Sequence, residues 1–383
     1  MRRIFVLGCS LLVFACGRGP ETSLPSAGEI EAKTLELMEK EDVKGLAVAV
    51  VDKESVRDVM SFGYRNVERQ EPLETDTIMY GASLTKAAFA YMVLQLVDEG
   101  LLDLDRPIAD YLDKPIPDYE RWASLEGDED WRLVTLRQVF THTTGLHNIR
   151  YFEPDMDLKF HFKPGEAYAY SGEGFWLAQT LLEEGLGLDV KAEMQRRIFD
   201  RFDMPNTSMQ WREDFADNLA DGYAMDGSFE PHDERSNVAA AGSMDTTIAD
   251  QANMWRGMLA GEGLSPESRA EWVRGQFPIR TAQKFPTIEN FDTHDDRGEP
   301  IALSSGLGVE SWMGPKGVNF AKGGHNDWTG NIVICQEAEE RCLVLLSNSV
   351  RAEIIYPELM KFVLGETNYP WWWTYPDLHD QEN

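Results

Sequence analysis

Ser83 and Lys86 stand three residues apart in Ala82-Ser83-Leu84-Thr85-Lys86-Ala87. On a helix that spacing stacks both side chains on one face. A serine hydroxyl becomes a strong nucleophile only when a neighbour accepts its proton. A lysine can accept it once burial or nearby positive charge lowers its pKa. Such a pair arises by chance about once in a chain of this size, so its meaning depends on what else the chain supplies.

Two later segments add to it. Tyr170-Ser171-Gly172 follows Pro164-Gly165, and Lys322-Gly323-Gly324-His325 precedes the apolar run at 332–334. They bring a phenol able to relay protons, a second cation, and glycines that let a substrate reach a backbone edge. There is no Gly-rich phosphate loop and no His-Glu-x-x-His zinc spacing; no cofactor or metal is implied.

The order and spacing of the three segments resemble the penicillin-recognising serine hydrolases, namely class C β-lactamases, D-alanyl-D-alanine peptidases and related esterases. In these, Ser-x-x-Lys is followed by Tyr-x-Asn or a variant and then by Lys/His-x-Gly. The segment at 135–146 ending in His142-Thr143-Thr144-Gly145-Leu146, the stretches at 100–111, 240–250 and 306–309, and Leu345-Leu346-Ser347-Asn348-Ser349 extend the likeness over about residues 30–365. The resemblance implies an α+β fold, a serine hydrolase that passes through an acyl-enzyme on Ser83, and a small-molecule or peptide substrate. Lys86 or Tyr170 would take the Ser83 proton. Lys322 would depress the tyrosine pKa or bind a substrate carboxylate. The backbone N–H groups of Ser83 and His325 would form an oxyanion hole, and Gly172, Gly323 and Gly324 would line the substrate. Tyr168 shares the face of Tyr170 in an extended segment and is the competing phenol. His142 reads as a residue orienting a turn, and Glu173 as an ordinary polar residue.

Two departures bear on substrate. Gly172 stands where the family has an Asn that grips the substrate amide, and Gly323 where it has a hydroxyl that helps bind a carboxylate. Both losses weaken the case for an efficient penicillin hydrolase and favour an ester, an amide or a peptide with D-residues. A β-lactamase or D,D-carboxypeptidase, and a non-catalytic ligand-binding protein on the same scaffold, are the alternatives.

The elements that must position these residues are legible as periodic runs. Residues 45–51 and 56–62 read as a hairpin, and 83–99 as a buried helix stopped at Gly100. Helical patterns at 175–184, 190–199 and 247–259 fill the middle. Strand patterns return after Gly306, end at 343–347, and lead to a helix at 357–364. The expected layout is an antiparallel sheet built from both chain ends (30–82 and 300–365), flanked by helices, with a central helical subdomain (83–299) and the site at their junction. The polar segment 277–300 would form a loop beside the site. The aromatic tail at 366–383, with Trp371-Trp372-Trp373, would pack back over the fold.

Composition sets the outer limits. With 43% hydrophobic residues in 383, a substantial core is available. The formal charge is −30, which argues against nucleic acid as a partner and against adhesion to anionic lipid through the surface. Residues 1–15 carry Arg2, Arg3 and an apolar run too short to span a bilayer. They end Val13-Phe14-Ala15-Cys16, which resembles a bacterial lipoprotein signal with Cys16 as the lipidated residue. This implies a membrane anchor followed by a flexible tether at 16–29, and a cell-envelope location with the domain in the periplasm or outside the cell. Of four cysteines, Cys335 and Cys342 flank a short turn between two strand-like runs, so they form either a disulfide or two buried thiols.

Overall fold

The computed structural model describes residues 24–285 and 288–380. The expected signal segment and Cys16 lie outside them. Helix α1 (Ala27–Glu41) opens the described chain, so the expected tether is helical from Ala27 onward. The cause is local: Ser26 and Glu29 form a capping box, each side chain meeting the other's backbone N–H.

A nine-stranded antiparallel sheet forms the centre. Its strands are β1 (Gly45–Asp52), β2 (Ser55–Asn66), β3 (Glu71–Pro72), β8 (Phe277–Pro278), β9 (Ser304–Ser305), β10 (Glu310–Gly314), β11 (Gly317–Asn326), β12 (Thr329–Gln336) and β13 (Arg341–Ser347). They lie in the order β3-β2-β1-β13-β12-β11-β10-β9-β8, so the first and last long strands pair at the centre, Val48 opposite Leu345. Two short ladders complete the strands, β4 (Met79–Tyr80) with β7 (Asp245–Thr246) and β5 (Gly222–Tyr223) with β6 (Phe229–Glu230). The sheet draws on both chain ends as expected. It also takes β8 from the helical subdomain, at the start of the segment expected as a loop, because Phe277 and Pro278 pair with β9 at the sheet edge, where a residue lacking an N–H is tolerated.

Each face of the sheet carries its own core. Ala47, Ala49 and Val51 face one cluster, and Leu46, Val48 and Val50 face the other. This period-2 alternation is hidden in an all-apolar run because both sides are covered. The first cluster contains α2 (Leu84–Asp98), α3 (Leu136–Phe140), α4 (Glu173–Thr180), α5 (Val190–Met194), α6 (Ile248–Ala260) and part of α7 (Pro266–Val273). The second contains α1 and α8 (Ala352–Leu364). Between α2 and α3 the chain forms only short 3₁₀ turns, such as Ile116–Asp118 and Glu120–Leu125. Prolines and clustered acidic residues there break longer helices.

Cys335 and Cys342 pair across the β12–β13 hairpin and are joined by a disulfide. Helix α8 begins five residues before the expected start and carries Pro357 inside it. A proline at 357 donates no bond to the carbonyl of residue 353. His379 Nε2 supplies the missing donor, 2.8 Å from the Glu353 oxygen. This contact belongs to the tail, where α9 (Trp371–Thr374) and α10 (Pro376–His379) fold back over the domain. Trp373 is fully buried, with its Nε1 donating to Thr281 Oγ1 at 3.1 Å. His379→Ala should lower unfolding stability by about 1–2 kcal/mol in urea titrations, with His379→Gln recovering most of it, because a carbonyl is left without a partner.

Candidate active site

Ser83 occupies the N-cap position of α2, and the preceding Ala82 has φ of 46°. This left-handed turn is uncommon for a residue with a Cβ. Thr85 Oγ1 holds it by donating to the Ala82 carbonyl at 2.6 Å while accepting from Met244 N–H at 3.1 Å. The same 240–244 segment delivers the Ala241 carbonyl to Lys86 Nζ, which donates to it. Lys86 Nζ also lies 3.0 Å from Ser83 Oγ, as the i, i+3 spacing requires. Ser83 is half-buried while Lys86 is only 3% exposed.

Burial pushes the Lys86 pKa well below the ordinary lysine value, and the charges of Lys322 and Lys284 push it further down. Tyr170 closes the other side. It is 2% exposed, Lys322 Nζ donates to its Oη at 3.2 Å, and a hydrogen bond links it to Ser83. Its pKa nevertheless moves up, because burial outweighs the opposing pull of Lys284 and of the bond to Ser83. The expected depression by Lys322 is therefore corrected: this phenol stays protonated at neutral pH, and the cation acting on it most is Lys284. Burial lowers the Lys322 pKa too, with Glu310 opposing.

The competing Tyr168 packs in the second core, its ring 6.0 Å from that of Trp373. His142 has φ of 56° and stacks on Tyr170 with ring centres 4.1 Å apart. Its Nδ1 accepts from Ser171 N–H at 3.1 Å. Burial, then Lys322, Lys86 and Lys284, hold its pKa well below the usual histidine value. It is a neutral ring that orients both the turn and the tyrosine. Glu173 is buried and structural: it takes Arg121 Nη2 at 2.7 Å and Arg150 N–H at 3.1 Å.

Strand β11 brings the third segment. Its pairing with β10 ends at Ala321, so beyond that residue this edge faces the start of α2. A Cβ on Gly324 would lie 2.5 Å from the Gly81 carbonyl and 3.2 Å from Ser83 N; only glycine permits this approach. The Ser83 N–H meets no acceptor among the described residues, as befits the first N–H of a helix. The His325 side chain turns away, its Nδ1 2.7 Å from Glu353 Oε1. At Gly323 a Cβ would lie 4.0 Å from Lys284 Nζ.

Lys284 and Glu310 escaped the sequence reading. They form a buried pair at 2.7 Å, and Lys284 lies over the Tyr170 ring at 5.5 Å. Burial raises the Glu310 carboxyl, but Lys284 and Lys322 more than offset it, leaving it below the usual range. Lys284 belongs to the 277–300 segment, whose Phe285 also packs edge-on against Tyr170, ring centres 4.8 Å apart. A charged residue inside the apolar strand pattern Val309-Glu310-Ser311-Trp312 was the one available signal; Lys284 offered none.

Because the unfolded chain binds a proton that the folded Lys86 gives up, stability should rise with pH between the lowered pKa and the ordinary lysine value. The slope from this group approaches about 1.4 kcal/mol per pH unit. Lys86→Met should flatten that rise when denaturant unfolding is measured across the pH series; an unchanged slope would mean that Lys86 is charged in the folded state.

A family model described as Beta-lactamase matches residues 30–353. The chain is 24% identical over 277 residues to unguisins hydrolase ungD of Aspergillus violaceofuscus, covering 65% of this chain and 48% of that protein. It spans about half the length of the curated relatives it matches. Its fold is similar to that of the octameric penicillin-binding protein homologue from Pyrococcus abyssi, with a TM-score of 0.70 at 18% identity over 90% of this chain and 78% of that one. It is also similar to that of D-alanine carboxypeptidase AmpC from Burkholderia cenocepacia, with a TM-score of 0.68 at 19% identity over 88% and 97% of the two chains.

Proposed function

The chain belongs to the beta-lactamase family, and from that premise we propose that it is a serine hydrolase acting through an acyl-enzyme on Ser83. The observation that carries this is the 3.0 Å contact between Ser83 Oγ and the buried amine of Lys86. A neutral amine that donates to the Ala241 carbonyl keeps its lone pair for the Ser83 hydroxyl. As Ser83 Oγ bonds to the substrate carbonyl carbon, its proton passes to Lys86 Nζ. The developing oxyanion lies against the Ser83 N–H and, on the open edge of β11, the His325 N–H. Tyr170, protonated and held by Lys322, gives its proton to the leaving oxygen or nitrogen, and the proton on Lys86 restores the phenol. Water then attacks the acyl carbon, yields its proton to Lys86, and Ser83 Oγ leaves and recovers that proton. The sum is one substrate and one water converted to an acid and a protonated leaving group. The lowered Lys86 pKa and raised Tyr170 pKa support this reading of Lys86 as base and Tyr170 as acid.

Esters, amides and peptides with D-residues are the substrate classes this site favours, since Gly172 and Gly323 bring neither amide nor hydroxyl to it. An exported, lipid-anchored protein is the accompanying reading, supported by Arg2, Arg3, the apolar run, Cys16 and the Cys335–Cys342 disulfide, a bond typical of oxidising compartments. Palmitate labelling in a bacterial host should be lost in Cys16→Ala; label retained by that variant rejects the anchor.

Incubation with a fluorophosphonate, a fluorescent penicillin and a p-nitrophenyl ester, followed by intact-protein mass spectrometry, tests the mechanism. The parent should gain one adduct that Ser83→Ala lacks. Lys86→Met should label and turn over roughly 10²–10⁴-fold more slowly. The parent rate should fall as pH drops through the lowered Lys86 pKa and hold on the alkaline side, where Tyr170 remains protonated. A folded parent that takes no adduct from any reagent overturns the acyl-enzyme and leaves a binding protein.

A further inference from the structure

Lys284 reaches the site from outside its three segments, is 3% exposed, and pairs with Glu310 at 2.7 Å. Glu310 is 2% exposed, and its second carboxylate oxygen has no hydrogen-bond partner among the described residues. Taking both charges out of water is expensive, and well-packed apolar side chains commonly serve stability as well or better. Stability gives no reason for an ion pair here; its position does.

The amine stands over two rings, 5.5 Å from the centre of Tyr170 and 5.5 Å from that of Trp373. Lys284 N–H donates to the Trp373 carbonyl at 2.8 Å, which fixes the backbone as well. Gly323 leaves the room: a Cβ there would already touch Lys284 Nζ at 4.0 Å, and a longer side chain pointing the same way would displace it. Lys322 donates to Tyr170 Oη at 3.2 Å, whereas Lys284 faces the ring and acts on it through its field. The other charged or titratable groups around Lys284, besides Glu310, are Lys86 of α2, Lys322 and His325 of β11, Glu353 of α8, and His142.

Resting on the hydrolase reading above, we propose that Lys284 is a positioning residue for the acid half of the reaction. Its ammonium, held by Glu310, stabilises the phenolate that Tyr170 becomes as it protonates the leaving group. The Tyr170 O–H bond breaks as the bond from the acyl carbon to the leaving atom breaks, and the proton moves to that atom. The phenolate then takes the proton held by Lys86, and Lys284 exchanges none. Burial opposes the phenolate, and the charge of Lys284 is the largest influence against that opposition.

The test compares ethyl butanoate with p-nitrophenyl butanoate on the parent, Lys284→Met and Lys284→Arg, each on its own pH plateau. The two esters form the same acyl-enzyme, but ethoxide needs a proton to leave and nitrophenolate does not. In kcat/KM, Lys284→Met should lose roughly tenfold or more on the ethyl ester beyond its loss on the nitrophenyl ester. Lys284→Arg keeps the charge and should restore most of that excess. The acid limb of the Lys284→Met profile should also move to higher pH, since the Lys284 charge helps to lower the Lys86 pKa. Should Lys284→Met fail to fold with Glu310 left unpaired, Lys284→Met/Glu310→Leu removes both charges and carries the same comparison. Equal losses on the two esters, an unmoved acid limb, or an excess that arginine leaves unrestored overturns the role of Lys284. Failure of the double variant to fold makes the pair structural and overturns it too, as does a parent that cleaves the nitrophenyl ester alone and so has no acid step. A parent that neither takes a fluorophosphonate label nor cleaves either ester overturns the hydrolase reading itself, and this proposal with it.

Discussion

Keeping one amine out of water is the constraint on which the site depends. Lys86 holds a low pKa only while α2 is enclosed on every side, and that enclosure takes most of the first core. Small residues at Ala87, Ala88 and Ala90 let the helix approach its neighbours closely, while Phe89, Met92 and Val93 fill the space around it. The edge of β11 comes against the start of the same helix at Gly324, so sheet and helical block meet where Ser83 is presented. Burying an ionisable group in this way works against stability, as functional sites commonly do.

Charge is distributed around that amine rather than cancelled at it. Lys86, Lys322 and Lys284 converge on Tyr170, and Glu310 partners only Lys284 at close range. Burial first, and then the charges of Lys322 and Lys284, lower the pKa values of both His142 and Lys86. A tyrosine buried among these groups still holds its proton, because loss of hydration outweighs the cations. The outcome is a low-pKa amine and a high-pKa phenol on either side of Ser83, arranged by burial more than by any single ion pair.

Segments distant in the chain finish the site. The 277–300 segment carries Lys284 and Phe285 to Tyr170, and the tail fixes that segment by accepting Lys284 N–H at the Trp373 carbonyl, 2.8 Å away. The tail in turn is fastened to α8 by His379, at the carbonyl that Pro357 leaves open. A helix that contains a proline, a row of tryptophans and an irregular polar loop thereby become one support for the aromatic wall of the site.

Ser83, Lys86, Tyr170 and Lys322 were legible in the sequence because their chemistry shows in short local patterns, and the hairpins and α2 because apolar periodicity reports burial directly. The start of α1 was legible too, in the Ser26–Glu29 capping box, but flanking Gly, Pro and Ser masked it. Local sequence thus determined which groups could react and which stretches would be strand or helix. Tertiary structure alone decided the rest: that burial holds the Lys86 pKa well below the ordinary lysine value, that Tyr170 rather than Tyr168 faces Ser83, and that Lys284 and Glu310 join the cluster. These depend on desolvation and on contacts between residues far apart in the chain, and neither quantity is encoded at any single position.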